Sequence, residues 1–337
     1  MITLRNLGEA AAAFDAASVR GTVVTWGTFD GMHRGHQALI AAARARADAL
    51  GLPLLVLTFE PRPAVFFNPA GAPRSVADLE DRLALLAGLP DLGVDYTLVL
   101  PFNRELAALG AEDFLRDLVL GSLRARSLVL GYDLSFGSRG LGDYEFLHDR
   151  AEGYGFELEI IEPLRFNTDN GSEGRVISST WVRERLAAGD LAGLPPLLGR
   201  QHSVHGKVLH GYRRGHDLGF ATANLDPGPL LLPPPGIYAC LAAGAAMAGK
   251  FAAAACNLGT NPSFGNDKVS LEAHLLDFSG DIYGQDLRLY FIKRLRTETA
   301  FPSPEDLARQ IGLDVRQTRE IIGEVLRDPD FARLYPL

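Results

Sequence analysis

The first 186 residues alternate short β-forming runs with segments of helical periodicity, and this alternation constrains the fold more than any other feature. The strand candidates read TVVTW, LLVLTF, YTLVL, SLVLG and ELEIIEP, and helical patterns lie between them at 35–50, 75–88 and 112–120. Apolar runs interleaved with helices are typical of βαβ units around a buried parallel sheet. Ligands of such folds bind beyond the carboxyl ends of the strands.

The stretch LAAGDLAGLPPLLGR marks a change in the pattern, because strands and turns follow it. Strands are predicted at 203–210, 237–244, 250–257, 269–277 and 286–292, and two helices near 304–312 and 314–327. We therefore expect an α/β domain at residues 1–186, followed by a small β-barrel domain with terminal helices at residues 187–337.

The alanine-rich segment ACLAAGAAMAGKFAAAAC has the propensity of a helix, but Gly244 and Gly249 interrupt it. The tripeptide AGK can form a turn between two strands, so we predict a hairpin centred near Ala248. This hairpin places Cys240 and Cys256 opposite each other, as thiols in a reducing compartment. Two cysteines are too few for a disulfide framework or a cysteine-rich metal site.

The charge balance restricts the partners of the chain. A formal net charge of -8 lacks the basic excess of a protein that binds the nucleic-acid backbone, so a small phosphorylated ligand fits better. The N-terminal residues have no signal-peptide pattern, and no apolar run reaches membrane-spanning length. We expect a cytoplasmic protein with small-molecule partners, no nucleic acid and no membrane, present as a monomer or weak homo-oligomer.

The segment GTFDGMHRGHQALI joins the strand TVVTW to a helix through a glycine-rich loop. Glycines let the backbone approach a ligand closely, and a helix N-terminus offers free N–H groups and a positive dipole end to an anion. His33 and His36 lie at that end, where each can donate a hydrogen bond to phosphate. The alternatives are histidines that only cap or pack, and a zinc site, which is weaker because no third or fourth ligand follows nearby.

The motif GTFDGMHRGH resembles the HxGH signature of the nucleotidyltransferase superfamily, in the form found in bacterial bifunctional riboflavin kinase/FAD synthetases. The segments TFEPRP, LVLGYDLSFGSRGLGD and ISSTWVR are similar to further motifs of that family. The resemblance implies a Rossmann-like FMN adenylyltransferase domain in which His33 and His36 are catalytic. The ATP-binding residues that it implies are Gly27, Phe29, Asp30, Gly31, His33, His36, Asp133, Ser179, Thr180 and Arg183. Ser179 and Thr180 also suit a simple helix cap.

The second half resembles the riboflavin kinase part of the same family in the segments HGYRRGHDLGFATANL, NLGTNPSFG, SLEAHLLDF and FIKRLRTETAFPSPEDLARQI. The resemblance implies that Thr222 and Asn224 hold Mg²⁺ and ATP phosphates, together with Gly219, and that Glu272 is the catalytic base. Hard oxygen ligands suit Mg²⁺, and a carboxylate near the nucleophile suits phosphoryl transfer. By its pattern alone, Glu272 is an exposed residue of an alternating strand, with Leu271 in the opposite register.

Three positions depart from the family pattern. Arg62 stands where members have His, Ala221 where they have Pro, and His216 where they have Arg. Arg62 keeps a cationic donor but exchanges no proton near neutrality, and Ala221 gives its loop more freedom. These changes bear on rates and nucleotide affinity rather than on identity.

The resemblance implies two successive reactions with ATP as a substrate of each. Riboflavin is phosphorylated to FMN, and AMP is then transferred from a second ATP to FMN, which gives FAD and pyrophosphate. One alternative is a transferase of the same superfamily with another acceptor, such as a phosphopantetheine or cytidylyl transferase. Another is a flavin-binding regulatory protein with one decayed catalytic site. Because both halves carry motifs, we predict the bifunctional enzyme.

Overall fold

The computed structural model describes residues 1–89, 92–167, 174–210, 220, 222–247, 249–260 and 269–335. The chain divides into two compact units, Met1–Ser179 and Thr180–Leu337. The division falls at the first residues of the helix Ser179–Ala187. The domain limits expected from sequence, 1–186 and 187–337, stay a prediction.

The N-terminal unit contains a six-stranded parallel sheet with the strand order β1-β4-β3-β2-β5-β6. Its strands are β1 (Ile2–Leu4), β2 (Thr22–Trp26), β3 (Leu54–Glu60), β4 (Tyr96–Pro101), β5 (Ala125–Gly131) and β6 (Glu157–Ile161), and a small ribbon pairs β7 (Arg165–Phe166) with β8 (Arg175–Val176). Its helices are α1 (Leu7–Ala16), α2 (Arg34–Leu50), α3 (Pro63–Phe67), α4 (Leu79–Gly88), α5 (Arg104–Ala108), α6 (Ala111–Asp113) and α7 (Tyr144–Tyr154), with a π-helix at Phe114–Ser122 and a 3₁₀ turn at Ser138–Gly140.

The central strands β2, β3 and β4 are buried along almost their whole length, as is typical of a parallel sheet with helices on both faces. The adjacent residues Val23 and Val24 of β2 are both fully buried, yet they belong to separate apolar clusters. Side chains alternate across a strand, so the two clusters lie on opposite faces of the sheet. The predicted α/β domain with a parallel sheet is confirmed.

The C-terminal unit is a closed antiparallel barrel with the strand order β10-β13-β12-β11-β14-β9. Its strands are β9 (Ser203–Leu209), β10 (Ala223–Asp226), β11 (Gly236–Gly244), β12 (Phe251–Thr260), β13 (Val269–Leu275) and β14 (Asp286–Arg296). Its helices are α8 (Ser179–Ala187), α9 (Pro195–Leu198), α10 (Pro304–Val325) and α11 (Phe331–Leu334), with a 3₁₀ turn at Ala245–Met247. The predicted barrel is confirmed, although sequence analysis did not predict β10.

Two predicted helices near 304–312 and 314–327 are one continuous helix, α10. The prediction of a break was wrong because Asp314 does not compete for backbone N–H groups. Its carboxylate instead accepts hydrogen bonds from the guanidinium of Arg296, at 2.7 Å from Nη2, and from the amide of Gln310 at 3.0 Å. These contacts join α10 to the end of β14 next to the predicted break.

The predicted hairpin is present as β11 and β12, but its register differs from the expected one. Cys240 faces Ala254, and Cys256 faces Tyr238, because the 3₁₀ turn at Ala245–Met247 moves the centre of the hairpin towards the N-terminus. Both cysteines are buried free thiols. Burial raises the pKa of the Cys240 thiol, and the neighbouring Cys256 thiol adds to this effect.

His202 is a buried titratable group in the C-terminal unit, with 2% of its surface exposed. Burial lowers the pKa of His202 from 6.5 to about 3, and the charge of Arg200 contributes in the same direction. Its Nε2 is buried without a hydrogen-bond partner among the described residues. The folded protein therefore keeps this imidazole neutral, whereas the unfolded chain takes up a proton below pH 6.5.

We predict that acidification destabilises this unit through His202. The pKa of His202 is lower in the folded protein than in the unfolded chain. The contribution of the neutral imidazole to the free energy of unfolding is therefore complete above pH 6.5 and is lost as the pH falls towards 3. Between pH 7 and pH 5 the loss is about 2 kcal/mol. Denaturant unfolding at both pH values should show a smaller pH dependence for His202→Gln than for the wild type. Equal pH dependence would contradict this assignment.

Candidate functional site

The glycine-rich loop between β2 and α2 lies at the carboxyl edge of the parallel sheet. Strand β2 has β3 on one side and β5 on the other. From β2 the chain continues to β3 and β4 on one side and later to β5 and β6 on the other, so the strand order changes direction at β2. Such a switch point is where open α/β sheets bind ligands. Asp133, which follows the end of β5 by two residues, is an exposed side chain.

His33 is the N-cap of helix α2. Its ring Nδ1 accepts a hydrogen bond from the backbone N–H of His36 at 3.3 Å. A neutral imidazole that accepts at Nδ1 carries its proton at Nε2, so this ring is set as a donor at Nε2. Only 6% of the His33 surface is exposed. The predicted placement of His33 at a helix N-terminus is confirmed.

The ring of His36 stacks on the ring of His33, with centroids 3.6 Å apart and an angle of 18° between the planes. Phe29 contacts the ring of His36 edge-on at a centroid distance of 5.3 Å. Burial lowers the pKa of His36 well below 6.5, and the neighbouring His33 adds to the shift. Its Nδ1 is buried and has no hydrogen-bond partner in the parts of the chain that the structure describes. His36 is therefore neutral at pH 7.

The loop before α2 has an unusual backbone. Gly31 has a φ of 82°, and a Cβ at this position would lie 2.9 Å from the Val76 side chain. The non-glycine residues Phe29 and Met32 also have positive φ values, 49° and 43°. Such conformations cost free energy and persist where the surroundings hold them. The loop shape is thus fixed by packing rather than by local preference.

Asp30 fastens this loop to the rest of the unit. Its carboxylate is almost fully buried, accepts a hydrogen bond from Arg62 Nη1 at 2.8 Å, and accepts the backbone N–H groups of Val76 at 2.9 Å and Ala77 at 3.1 Å. Its backbone carbonyl accepts a hydrogen bond from Ser179 Oγ at 2.8 Å. The role of Asp30 as a nucleotide contact stays a prediction.

Arg62 is the cationic partner of Asp30. The guanidinium is 7% exposed, and its Nη2 donates to the carbonyl of Pro73 at 2.7 Å. The planar guanidinium thereby joins the end of β3 to the loop and to the segment before α4.

A second buried arginine, Arg82 on α4, lies beneath the same loop. It donates to the carbonyl of Thr28 at 3.0 Å and to the hydroxyl of Thr58 at 2.9 Å, and it forms an ion pair with Glu60. Burial lowers the pKa of Arg82, while the charges of Glu60 and Asp30 oppose this shift. The burial of Arg82 leaves no signal in the sequence, because an arginine on an amphipathic helix is ordinarily exposed.

Ser179 and Thr180 begin helix α8, as predicted, and Arg183 follows one turn later. Ser179 belongs to the N-terminal unit, and Thr180 and Arg183 belong to the C-terminal unit. The hydroxyl of Ser179 donates a hydrogen bond to the backbone carbonyl of Asp30 at 2.8 Å. This contact links the ISST motif directly to the histidine loop.

An apolar cavity of about 300 Å³ opens at the same edge of the N-terminal sheet. Its aromatic lining consists of Trp26, Phe59, Phe67, Phe102, Phe114 and Phe136, and Arg139 adds a cation. Trp26 ends β2, and its Nε1 is buried without a hydrogen-bond partner among the described residues. A cavity of this size and lining suits a flat aromatic ligand. Its aromatic residues come from separate segments, so no single sequence motif revealed it.

The barrel brings the predicted kinase residues together across its strands. Asn224 of β10 lies directly opposite Glu272 of β13, and Glu272 in turn lies opposite Asn257 of β12. Residues in such pairs have Cβ atoms about 4.5–5.5 Å apart. Thr222 directly precedes β10, two residues before Asn224. Gly219, Ala221 and His216 lie outside the described residues.

Glu272 occupies the outer face of the barrel, as its sequence pattern predicted. Its neighbours Leu271 and Ala273 are buried in the interior, whereas Glu272 is partly exposed. Ser270 Oγ donates a hydrogen bond to Glu272 Oε1 at 3.2 Å. A carboxylate held this way is accessible to a substrate hydroxyl.

Comparison with known proteins assigns a family to each unit. Residues 15–180 match the family model described as FAD synthetase, and residues 198–322 match the one described as riboflavin kinase. These two segments coincide with the two sets of motifs in the sequence. The resemblance stated from the sequence is therefore confirmed.

Several relatives match nearly the whole chain. A bifunctional riboflavin kinase/FMN adenylyltransferase of Escherichia coli (strain K12) is 37% identical over 308 residues, which cover 91% of this chain and 95% of the relative. Proteins with the same description from Pseudomonas fluorescens and Bacillus subtilis (strain 168) are 38% and 31% identical, covering 90% and 88% of this chain and 93% and 91% of those relatives. Each of these relatives therefore matches both units of this chain within one chain.

A solved structure described as a macrolide-efflux protein from Streptococcus pneumoniae has the same fold, with a TM-score of 0.77 and 28% identity. The match covers 94% of this chain and 98% of that one. None of the helices in the described parts of this chain is both long and apolar enough to cross a membrane.

We predict that the Arg62–Asp30 pair is essential for the stability of the N-terminal unit. Arg62→Met leaves a buried carboxylate without its cationic partner, which should cost about 3–5 kcal/mol. The control Arg46→Met removes the surface ion pair with Glu157 and should cost less than about 1 kcal/mol. Thermal unfolding should separate the two variants clearly. Similar unfolding midpoints for the two variants would show that the Arg62–Asp30 pair does not stabilise the loop.

Proposed function

Because the chain belongs to the family of bifunctional riboflavin kinase/FMN adenylyltransferases, we propose that it makes FAD from riboflavin in two steps at two separate sites. The barrel phosphorylates riboflavin to FMN with ATP. The N-terminal unit then transfers AMP from a second ATP to FMN and releases pyrophosphate. The observation that carries the proposal is one chain with a histidine pair at a helix N-terminus and a carboxylate between two amides on a barrel.

For adenylyl transfer, an oxygen of the FMN phosphate forms a bond to the α-phosphorus of ATP. The bond from the α-phosphorus to the bridging oxygen breaks, and pyrophosphate leaves. His33 and His36 stand at the positive end of the α2 dipole, where neutral imidazoles donate hydrogen bonds to the negative charge that develops. No proton transfer is required of them, which fits the lowered pKa of His36.

The remaining predicted ATP residues have supporting roles in this proposal. Gly27 and Gly31 are proposed to bind ATP through their backbone, while their lack of a side chain lets the loop pack against Phe29 and Val76. Asp30 holds that loop in place through Arg62. Ser179, Thr180 and Arg183 add hydroxyl donors and a positive charge, as the family resemblance implies. Phe29 fixes the ring of His36 by its edge contact, and Asp133 borders the site from β5.

The aromatic cavity is the proposed site of the FMN ring system. Its lining offers flat apolar surfaces for the isoalloxazine, and the buried Nε1 of Trp26 is an available donor for a polar group of the ligand. Arg139 at the cavity wall is a cation that suits the FMN phosphate. Trp26 at the end of β2 lines the cavity, and the histidine loop begins at the next residue. FMN and ATP would therefore meet at the same edge of the sheet.

For the kinase step, the 5′-hydroxyl oxygen of riboflavin forms a bond to the γ-phosphorus of ATP while the bond to the bridging oxygen of ADP breaks. Glu272 takes the proton of that hydroxyl. Asn224, which lies opposite Glu272, and Thr222, two residues earlier, offer hard oxygen ligands that would hold Mg²⁺. When bound, Mg²⁺ supplies positive charge that offsets the charge of the ATP phosphates. Glu272 and Asn224 come from neighbouring strands, so the base and the phosphate site keep a fixed spacing.

We propose in addition that the enzyme works in the cytoplasm on small molecules alone, with no nucleic acid and no membrane, as a monomer or weak homo-oligomer. The proposed division of labour follows residues 1–186 and 187–337. This is supported by the family models, which match 15–180 and 198–322.

We predict that His36→Ala slows FAD formation from FMN by roughly 10²–10³-fold, the usual loss of one transition-state donor. Riboflavin phosphorylation should continue at the wild-type rate, because the barrel is unchanged. The matched control is His148→Ala, which removes an exposed histidine of the same unit and should alter neither rate. Both rates can be followed by chromatography of the flavins. Normal FAD synthesis by His36→Ala would mean that the histidine only packs.

We predict that Glu272→Gln lowers riboflavin phosphorylation by on the order of a hundredfold or more, since the amide cannot accept the proton. FAD formation from added FMN should be normal. The control Glu320→Gln changes an exposed carboxylate on α10 and should leave kinase activity intact. A wild-type kinase rate in Glu272→Gln would rule out this base, and loss of both activities would indicate misfolding.

A further inference from the structure

Asn257 lies in a row of three polar residues on the barrel. It faces Glu272 directly across the β12–β13 pair, and Glu272 faces Asn224 directly across the β13–β10 pair. The residues on either side of this row, such as the pairs Cys256 with Ala273 and Leu258 with Leu271, are buried in the barrel interior. The row therefore lies on the outer face, with the proposed base in its centre.

Asn257 differs from Glu272 in the hydrogen bonding of its side-chain oxygen. Its Oδ1 is buried and has no hydrogen-bond partner within the described ranges. Glu272, in contrast, accepts a hydrogen bond from Ser270 Oγ. A buried acceptor without a donor destabilises the folded chain, so a residue of this kind beside an active carboxylate indicates a ligand.

The chemistry of this oxygen selects the part of the substrate that it can bind. An amide oxygen accepts hydrogen bonds, and ionised phosphate has no hydrogen to donate, so Asn257 Oδ1 does not suit the ATP phosphates. Riboflavin carries a ribityl chain with hydroxyl groups next to the reacting 5′-hydroxyl, and each of these is a donor. A chain whose end reaches Glu272 passes close to the neighbouring position in the row.

We propose that Asn257 is a substrate-contacting residue of the kinase site, whose Oδ1 accepts a hydrogen bond from a ribityl hydroxyl of riboflavin. This inference rests on the kinase function proposed above. Glu272 then separates two regions of the site. Asn224 serves the metal and phosphate side, and Asn257 serves the hydroxyl side and holds the 5′-hydroxyl towards the base.

The test uses the full chain with Asn257→Leu, which keeps the approximate shape but removes the acceptor, and with Asn257→Ala. The kcat/KM for riboflavin should fall on the order of tenfold, mainly through KM, while the KM for ATP stays unchanged. The Tm of Asn257→Leu should equal or exceed that of the wild type, because no buried acceptor remains unpaired. The control Lys207→Ala, an exposed residue of β9, should behave as the wild type.

Riboflavin analogues that lack the 2′-, 3′- or 4′-hydroxyl identify the contact. Wild-type enzyme should use one of them about tenfold less well than riboflavin, and Asn257→Leu should lose that discrimination. Unchanged discrimination and unchanged riboflavin KM would overturn the inference, and a lowered Tm in the same variant would assign Asn257 a structural role. If the wild type itself fails to phosphorylate riboflavin, the kinase proposal fails instead.

Discussion

The buried carboxylate of Asp30 is the contact on which the geometry of the N-terminal site depends. It holds the guanidinium of Arg62 and two backbone N–H groups, and its own carbonyl receives the hydroxyl of Ser179. These bonds keep the loop in a conformation with three positive φ values, which its sequence alone would not hold. The histidines at the start of α2 are presented by that loop. In this chain the arginine at position 62 thus supports the site through Asp30.

The two proposed sites differ in the chemistry that they support and in the secondary structure that holds their residues. In the mechanism proposed for the N-terminal unit, negative charge develops on the transferred phosphate, and the two histidines at a helix N-terminus stabilise that charge without moving a proton. In the mechanism proposed for the barrel, a hydroxyl loses its proton, and the carboxylate of Glu272 on β13 accepts it. The helix fixes donors through backbone geometry, whereas the strands fix spacing through register. One chain can therefore hold both chemistries without a shared residue.

Much of the fold could be predicted from the sequence because burial leaves periodic patterns. The strand TVVTW and the alternation of Leu271, Glu272 and Ala273 were read correctly for this reason. Tertiary contacts without a local pattern were missed: Asp314 is held by Arg296 from another element, so α10 does not break there. Arg82 and the aromatic cavity were missed for the same reason, since their partners are distant in sequence.

The most direct test of two reactions at two sites follows the phosphorus atoms. Purified full-length protein receives riboflavin, Mg²⁺ and ATP labelled either at the γ-phosphate or at the α-phosphate, and the flavins are separated by chromatography over time. The account predicts γ-label in FMN and then in FAD, and α-label in FAD alone, with FMN formed first. Label from the α-phosphate in FMN, or FAD without γ-label, would contradict it.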